Sequence, residues 1–268
     1  MGSYKVSLVH PATRVLYATV RLQRLDANGG DAGSGTAFFF GDFDSPGRPT
    51  FLVTNKHVLE TATATRALFH TGEMLDKRSF SPDSEEWLEW PTTALWRHHP
   101  DPDVDLAVVR VEELKQYAGG GLDRLFHTLI WSVWCPTPEA ESQFPAMLTT
   151  AMIGYPAGLW DRHNNLPILR RGTTASHPAI DYDGRAEVMV DIAAVPGSSG
   201  SPVLVIRDDK AEIFLGVLYA GPTDIAEGQI VFSYIPTLGS TPVVQTELGV
   251  HLGLAIKSRV LLEFIRSL

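Results

Sequence analysis

The chain has 268 residues, 44% hydrophobic and 20% charged, the proportions of a globular protein able to bury a sizeable core. Its net charge of −9 argues against a nucleic-acid or anionic-membrane surface, since phosphates select Lys and Arg. Cys135 is the only cysteine, so no internal disulfide forms, and no run fits a signal peptide or a membrane span; a reducing, cytoplasmic setting is expected.

Val15 to Leu22 alternates, with Leu16, Ala18, Val20 and Leu22 on one face, and predicts a half-buried strand. A Gly-rich turn follows at 28–35, then strands at 36–40 and 51–54 on either side of a Pro-Gly loop. Residues 71–104 read as a long polar excursion dotted with Trp87, Trp90 and Trp96, and with Pro91, Pro100 and Pro102. Leu106 to Val111 is a strongly apolar strand and Glu112 to Tyr117 a short helix. Gly119-Gly120-Gly121 marks a break between two halves, taken as 1–125 and 126–268, and 130–146 reads as irregular. Strands resume at 147–153, 166–171, 187–194, 202–207, 212–219, 229–234 and 251–256. At the end Ser258 suits an N-cap, and Val260, Leu261, Phe264, Ile265 and Leu268 share the apolar face of a helix over 258–268. Many short strands with so few amphipathic helices predict an all-β protein, an antiparallel barrel or sandwich.

One stretch carries chemistry. Ala194-Val195-Pro196-Gly197-Ser198-Ser199-Gly200-Ser201-Pro202-Val203 places Ser199 in a glycine-flanked turn between strand-like runs. A serine hydroxyl becomes nucleophilic only beside a base. The glycines allow a turn in which the amides of Gly197 and Ser199 serve one developing oxyanion. A Gly-X-Ser-Gly alone arises by chance in about one chain in ten of this length, so a base and an acid must be found elsewhere. Of nine histidines, His57 follows directly on the 51–54 strand, where a ring is held rigidly yet can face a cleft. Asp105 stands at the mouth of the apolar 106–111 strand, where a carboxylate is costly unless something pairs with it. An imidazole N–H is such a partner and would fix the tautomer; Asp103, two residues earlier, is the competing acid. The order His57, Asp105, Ser199 is one of the three orders in which this constellation occurs.

These blocks resemble the chymotrypsin/trypsin-like superfamily of serine endopeptidases, closest in look to the disulfide-free bacterial HtrA/Deg-like and glutamyl-endopeptidase-like branch. The resemblance rests on Gly33-Ser34-Gly35-Thr36-Ala37-Phe38, Leu52-Val53-Thr54-Asn55-Lys56-His57-Val58, Asp105-Leu106-Ala107-Val108 and Ala193 through Pro202. Weaker matches are Gly154-Tyr155-Pro156, Arg171-Gly172-Thr173 and Gly253-Leu254-Ala255-Ile256. It implies two six-stranded antiparallel β-barrels, the first carrying His57 and Asp105 and the second Ser199, with the site in the cleft between them. It implies Ser199 as nucleophile, His57 as acid/base, Asp105 as orienter and the amides of Gly197 and Ser199 as oxyanion hole. The pocket for the residue before the cut would take its base from Ala193, its wall from Tyr219-Ala220-Gly221, and Gly253 opposite.

Departures from the family's pattern matter. Ser198 stands where disulfide-rich trypsins carry an Asp that pairs with a freed terminal amine, so no N-terminal cut is expected to form the site. No acid lies at the pocket base and Leu218 replaces the wall histidine of acid-selective relatives, so a small or apolar side chain is the expected preference. His251 leaves a Glu-specific endopeptidase as the lesser alternative, and a protease-fold scaffold without turnover is the main rival. A polypeptide substrate is expected, with the 71–104 excursion or an activating or inhibiting protein partner gating the cleft. No cofactor is expected, and the His98-His99-Pro100-Asp101-Pro102-Asp103 run lacks the spacing of a metal site.

Overall fold

A computed structural model describes residues 5–76, 78–118, 125–207, 210–221, 223–229, 243–249 and 251–268. Two β systems share one continuous core. The first is a ten-stranded sheet containing the strands Thr19–Leu25, Asp31–Gly41, Thr50–Thr54, Ala64–Asp76, Ser79–Pro91 and Ala107–Arg110. The second is a closed six-stranded barrel built from Thr149–Gly154, Ile168–Thr174, Glu187–Asp191, Pro202–Arg207, Lys210–Ala220 and Gly253–Lys257. This is the chymotrypsin-like fold. The expected second barrel is present, whereas the first half has more strands than a six-stranded barrel and includes one parallel pair, Ile130–Trp131 on Phe40–Gly41. The strands Leu125–Phe126 and Ile130–Trp131 still pair within the first sheet, so the chain beyond residue 126 completes that sheet before the barrel begins. The glycine break at 119–121 and most of the strand expected at 229–234 lie outside the described residues.

The apolar strands beside the site are buried on both faces, and period-two geometry sends alternate residues into different cores. Phe38, Phe40, Phe51, Val53 and Val108 point into a core shared with Leu204, Phe214, Val217 and Ile256 of the barrel. Ala37, Phe39, Leu52, Ala107 and Val109 point the other way, into the core of the first half. That explains why these strands read as unbroken apolar runs. Phe214 meets Phe38 and Phe40 at ring-centroid distances of 5.4 and 5.7 Å, and burying each such ring contributes about 1.5–3 kcal/mol. The two halves are therefore held as a unit by the rings beneath the cleft.

Several local expectations are corrected. Residues 11–18 form a helix, Pro11–Ala18, and the strand begins only at Thr19. Pro11 sits in the first turn and the His10 ring accepts the Ala12 N–H as a cap, which outweighs the short alternation. The 28–35 turn is shorter than expected, because Asp31 to Gly35 already belong to the strand Asp31–Gly41. Most of the 71–104 excursion is sheet: Ala64–Asp76 and Ser79–Pro91 pair along nearly their whole length as a hairpin. Its charged residues are mostly on the solvated face, while Ala67, Phe69, Phe80, Leu88 and Trp90 are buried. The irregular 130–146 segment contains the short helix Pro138–Ser142, started by Pro138 with Thr137 as its cap.

The C-terminal helix is Ser258–Arg266, with Lys257 rather than Ser258 in the capping position. Leu261, Phe264 and Ile265 are buried as expected, but Leu268 is 43% exposed beyond the helix end. Arg266 binds Asp42 through two 3.0 Å hydrogen bonds, tying this helix to the end of a first-half strand. Lys257 Nζ, nearly fully buried, binds Glu141 at 2.5 Å and Asp181 at 2.9 Å; Arg259 engages the same two carboxylates. Each charge of this cluster thus has an opposite partner, the condition under which burial is tolerated.

Candidate active site

His57 and Asp105 meet because the strand register brings them to one end of the same pair. Thr54 lies opposite Ala107 in the antiparallel pairing of Thr50–Thr54 with Ala107–Arg110. His57 comes three residues after Thr54 and Asp105 two residues before Ala107, so both leave the sheet at one edge. His57 opens the 3-10 turn His57–Leu59, and its Nδ1 lies 2.5 Å from Asp105 Oδ2. The His57 N–H donates to Asp105 Oδ1 at 3.2 Å, and Asn55 Nδ2 donates to the Asp105 carbonyl at 2.7 Å. Ring and carboxylate are thus fixed by side chain and backbone together. Asp103 lies exposed in a turn whose N–H donates to Asp101 Oδ1, so the two-residue periodicity that made it a competitor does not hold there.

Burial alone would raise the Asp105 carboxyl. The hydrogen bond and charge of His57, with the N–H groups of His57 and Lys56, outweigh burial and hold it below the usual aspartate range. The side chains are 40% exposed for His57 and 21% for Asp105, which leaves the ring open to the cleft and its partner largely covered. His57 Nε2 makes no hydrogen bond among the described residues, and neither does Ser199 Oγ. The two are not bonded to each other.

The turn that carries Ser199 is pinned through its carbonyls. Val195 accepts from the Ser198 N–H, Pro196 from Ala157, Ser198 from Ser201, and Ser199 from the Thr36 N–H at 2.9 Å. Gly197 accepts from Thr36 Oγ1 at 2.8 Å. The amides of Gly197 and Ser199 find no acceptor among the described residues, whereas those of Ser198, Gly200 and Ser201 do. Unpaired N–H groups in such a place are the donors an oxyanion needs. Gly197 and Gly200 both take left-handed backbone, with φ of +86° and +85°. A Cβ at Gly200 would also come within 2.0 Å of the Thr36 carbonyl, so the turn admits only glycine there.

Thr36 is the residue that sequence reasoning missed. It lies fully buried on Asp31–Gly41, its carbonyl accepts from Thr54 Oγ1 at 2.8 Å, and its hydroxyl accepts the Tyr155 N–H at 3.2 Å. One threonine therefore links the Ser199 turn to the strand that leads to His57. Its presence in the Gly33–Phe38 block was visible, but its reach across 161 residues to Gly197 was not.

Beside Ser199 lies a cavity of about 190 Å³ lined by Ala194, Val195, Pro196, Ser198, Ser199, Leu218, Tyr219, Ala220 and Gly221. Tyr219, Ala220 and Gly221 thus fall where the resemblance puts the pocket wall. Ala193 and Gly253 do not line it, Ala194 and Leu218 do, and a Cβ on Gly253 would instead press on Leu218 Cδ1 at 2.7 Å. At Gly221 a Cβ would come within 2.6 Å of the Ala194 Cβ, so the two walls approach closely. No charged side chain lines the cavity among the described residues. Burial, followed by the charge and hydrogen bond of Glu187, pushes the Tyr219 phenol above its ordinary value and keeps it neutral. His251 is exposed and does not line the cavity.

Other candidate groups serve local structure. His99 Nδ1 accepts the Asp101 N–H at 3.1 Å and its ring packs edge-on against Phe264. His98 ends the strand Arg97–His98 and the residues beyond it to Asp103 form a turn, and no metal-ligand cluster occurs among the described residues. Burial pushes the Cys135 thiol up to about 12, which leaves it protonated and unreactive at neutral pH. No helix among the described residues is long and apolar enough to cross a membrane.

A six-stranded barrel joined to a second sheet, with a histidine–carboxylate pair on one and a glycine-flanked serine turn on the other, defines the trypsin/chymotrypsin-like serine protease superfamily. The family model of the trypsin-like peptidase domain matches residues 35–211, more than half of the chain and a span holding His57, Asp105 and Ser199. The chain belongs to that family. No curated protein matches it. Among solved structures, the crystal structure of the Rv3671c protease from M. tuberculosis in its active form is similar over 97% of this chain and 84% of that one, at 16% identity and a TM-score of 0.48.

Proposed function

We propose that this trypsin-like peptidase is a serine endopeptidase in which Ser199, His57 and Asp105 cleave polypeptides through an acyl-enzyme. The observation that carries the reading is the 2.5 Å contact of His57 Nδ1 with Asp105, which leaves Nε2 as the ring's unengaged nitrogen. Ser199 Oγ attacks the scissile carbonyl as Nε2 takes its proton. Asp105 keeps Nδ1 protonated and stabilises the imidazolium, and the Gly197 and Ser199 amides receive the oxyanion. His57 then protonates the departing amine. Water, deprotonated by the same nitrogen, attacks the ester, releases the acid product and restores Ser199.

A fluorophosphonate probe is expected to add once per chain, and peptide mass mapping to place the adduct on Ser199. A correctly folded chain that takes up no probe over hours would return the scaffold reading instead.

The cavity supports a small or apolar residue before the cut, because its walls are close and uncharged. Such a pocket discriminates by about 1–3 kcal/mol per methylene of fit. A peptide library is expected to show cleavage after Ala, Val or Leu-sized residues. A profile dominated by Glu would reverse this specificity and draw attention back to His251.

A further inference from the structure

We propose that Arg170 is the positioning residue that holds the oxyanion turn in its working shape, a role that rests on the serine-endopeptidase reading. Arg170 lies on the barrel strand Ile168–Thr174, opposite Met152 in the register, and is no neighbour of Ser199 in sequence. Its Nη1 donates to the Ala193 carbonyl at 2.5 Å and its Nη2 to Ser198 Oγ at 2.7 Å. One guanidinium therefore ties the two ends of 193–198, the segment that contains Gly197 and delivers the chain to Ser199.

The placement is costly in a way that ordinary surface arginines are not. The guanidinium is half-buried, its Nε is buried with no hydrogen-bond partner among the described residues, and burial disfavours its charged form. No carboxylate among the described residues pairs with it. A charge kept in such a setting needs strong acceptors, and a planar fork supplies two donors at fixed separation where an ammonium offers a point charge. Ser198 is almost fully buried, so the hydroxyl that receives Nη2 has no route to water. The Val195, Pro196, Gly197 and Ser198 carbonyls are held by Thr36, Ala157 and the turn's own amides. Arg170 adds the bond that fixes the side chain lying between the two oxyanion donors.

The guanidinium is protonated at every pH an enzyme meets, so a turn fixed by it is not switched by titration. Nor does it depend on a newly freed terminal amine. The turn is assembled by a group already built into the barrel wall.

The test compares wild type, Arg170→Met, Arg170→Lys, Arg170→Ala and Ser198→Ala for ester hydrolysis, fluorophosphonate labelling and thermal midpoint. Arg170→Met is expected to fold and lose about 10²-fold in kcat, the scale of one lost oxyanion donor, with KM moving less than about threefold. Labelling should slow in parallel. Arg170→Lys should recover only part of the loss, and millimolar guanidinium should raise the kcat of Arg170→Ala; a merely structural role would predict neither. Ser198→Ala removes one hydroxyl, is expected to cost about tenfold in kcat, and decides alone if Arg170→Met does not fold. Folded Arg170→Met and Ser198→Ala variants with kcat within about twofold of wild type would overturn the positioning role while leaving the serine mechanism standing. Wild type that neither labels nor turns over would instead bring down the serine reading, and this role with it.

Discussion

Ser199→Ala is expected to lower kcat on a good peptide or ester substrate by about 10⁶-fold, with little change in substrate binding or thermal midpoint. The size follows from the covalent step. Without Oγ no acyl-enzyme forms, and His57 is left to activate water that nothing positions. What survives is the rate given by the Gly197 and Ser199 amides and by binding, about 10³–10⁴ above the reaction in water. Little stability is lost, because Ser199 Oγ makes no hydrogen bond among the described residues, while the Ser199 carbonyl that accepts from Thr36 is untouched. The decisive measurement is steady-state turnover beside affinity for a non-covalent competitive ligand. A variant that kept even about 1% of wild-type kcat, after contaminating proteases are ruled out by probe labelling, would remove Ser199 from the nucleophile's role. His57→Ala should give a similar loss rather than an additional one, since the two act as a unit.

His57, Asp105 and Ser199 were legible as candidates because each is placed by a few contiguous residues: a strand end for His57, a strand mouth for Asp105, a glycine turn for Ser199. Local sequence carries such placements. Thr36 and Arg170 were not legible as site residues, because what they do depends on pairings across 161 and 28 residues. No spacing rule ties a threonine hydroxyl to Gly197 or a guanidinium to Ser198. The pocket shows the same division. Tyr219, Ala220 and Gly221 fall on the wall through strand continuity, but the exchange of Ala193 for Ala194 turns on one residue of register, which decides which face a side chain takes. The fold errors are of a different kind. In Pro11–Ala18 the accidental alternation of Leu16 with Ala18 hid a helix that His10 and Pro11 announce. In the hairpin of Ala64–Asp76 with Ser79–Pro91, charged residues such as Glu86 and Glu89 masked a strand whose opposite face buries Leu88 and Trp90. Burial on one face only makes a strand look like a loop when its solvated face is this acidic.

Asp105→Asn is expected to cost about 10⁴-fold in kcat while leaving the fold intact, and it separates the orienting role from mere occupancy. In the proposed mechanism the carboxylate accepts a hydrogen bond from His57 Nδ1, so the proton sits on that nitrogen and Nε2 is left to receive the one from Ser199. An asparagine amide turned toward Nδ1 donates instead. The ring then carries its proton on Nε2 and can no longer act as base. Asp103→Asn, changed in an exposed turn two residues away, should stay within about twofold of wild type. The reverse pattern would move the acid to Asp103. The same substitution has a pH signature. Because Asp105 is held below the ordinary aspartate range in the folded chain, its ionised form contributes stability that is fully present above the unfolded value. That contribution is lost as pH falls through the lower folded value. Wild type should therefore show no Asp105-linked change in stability between neutral pH and the ordinary aspartate range, and a decline only below it. Asp105→Asn should lack that acid-side decline, and equal acid sensitivity of the two proteins in denaturant titrations would show that the pairing with His57 does not shift the carboxylate.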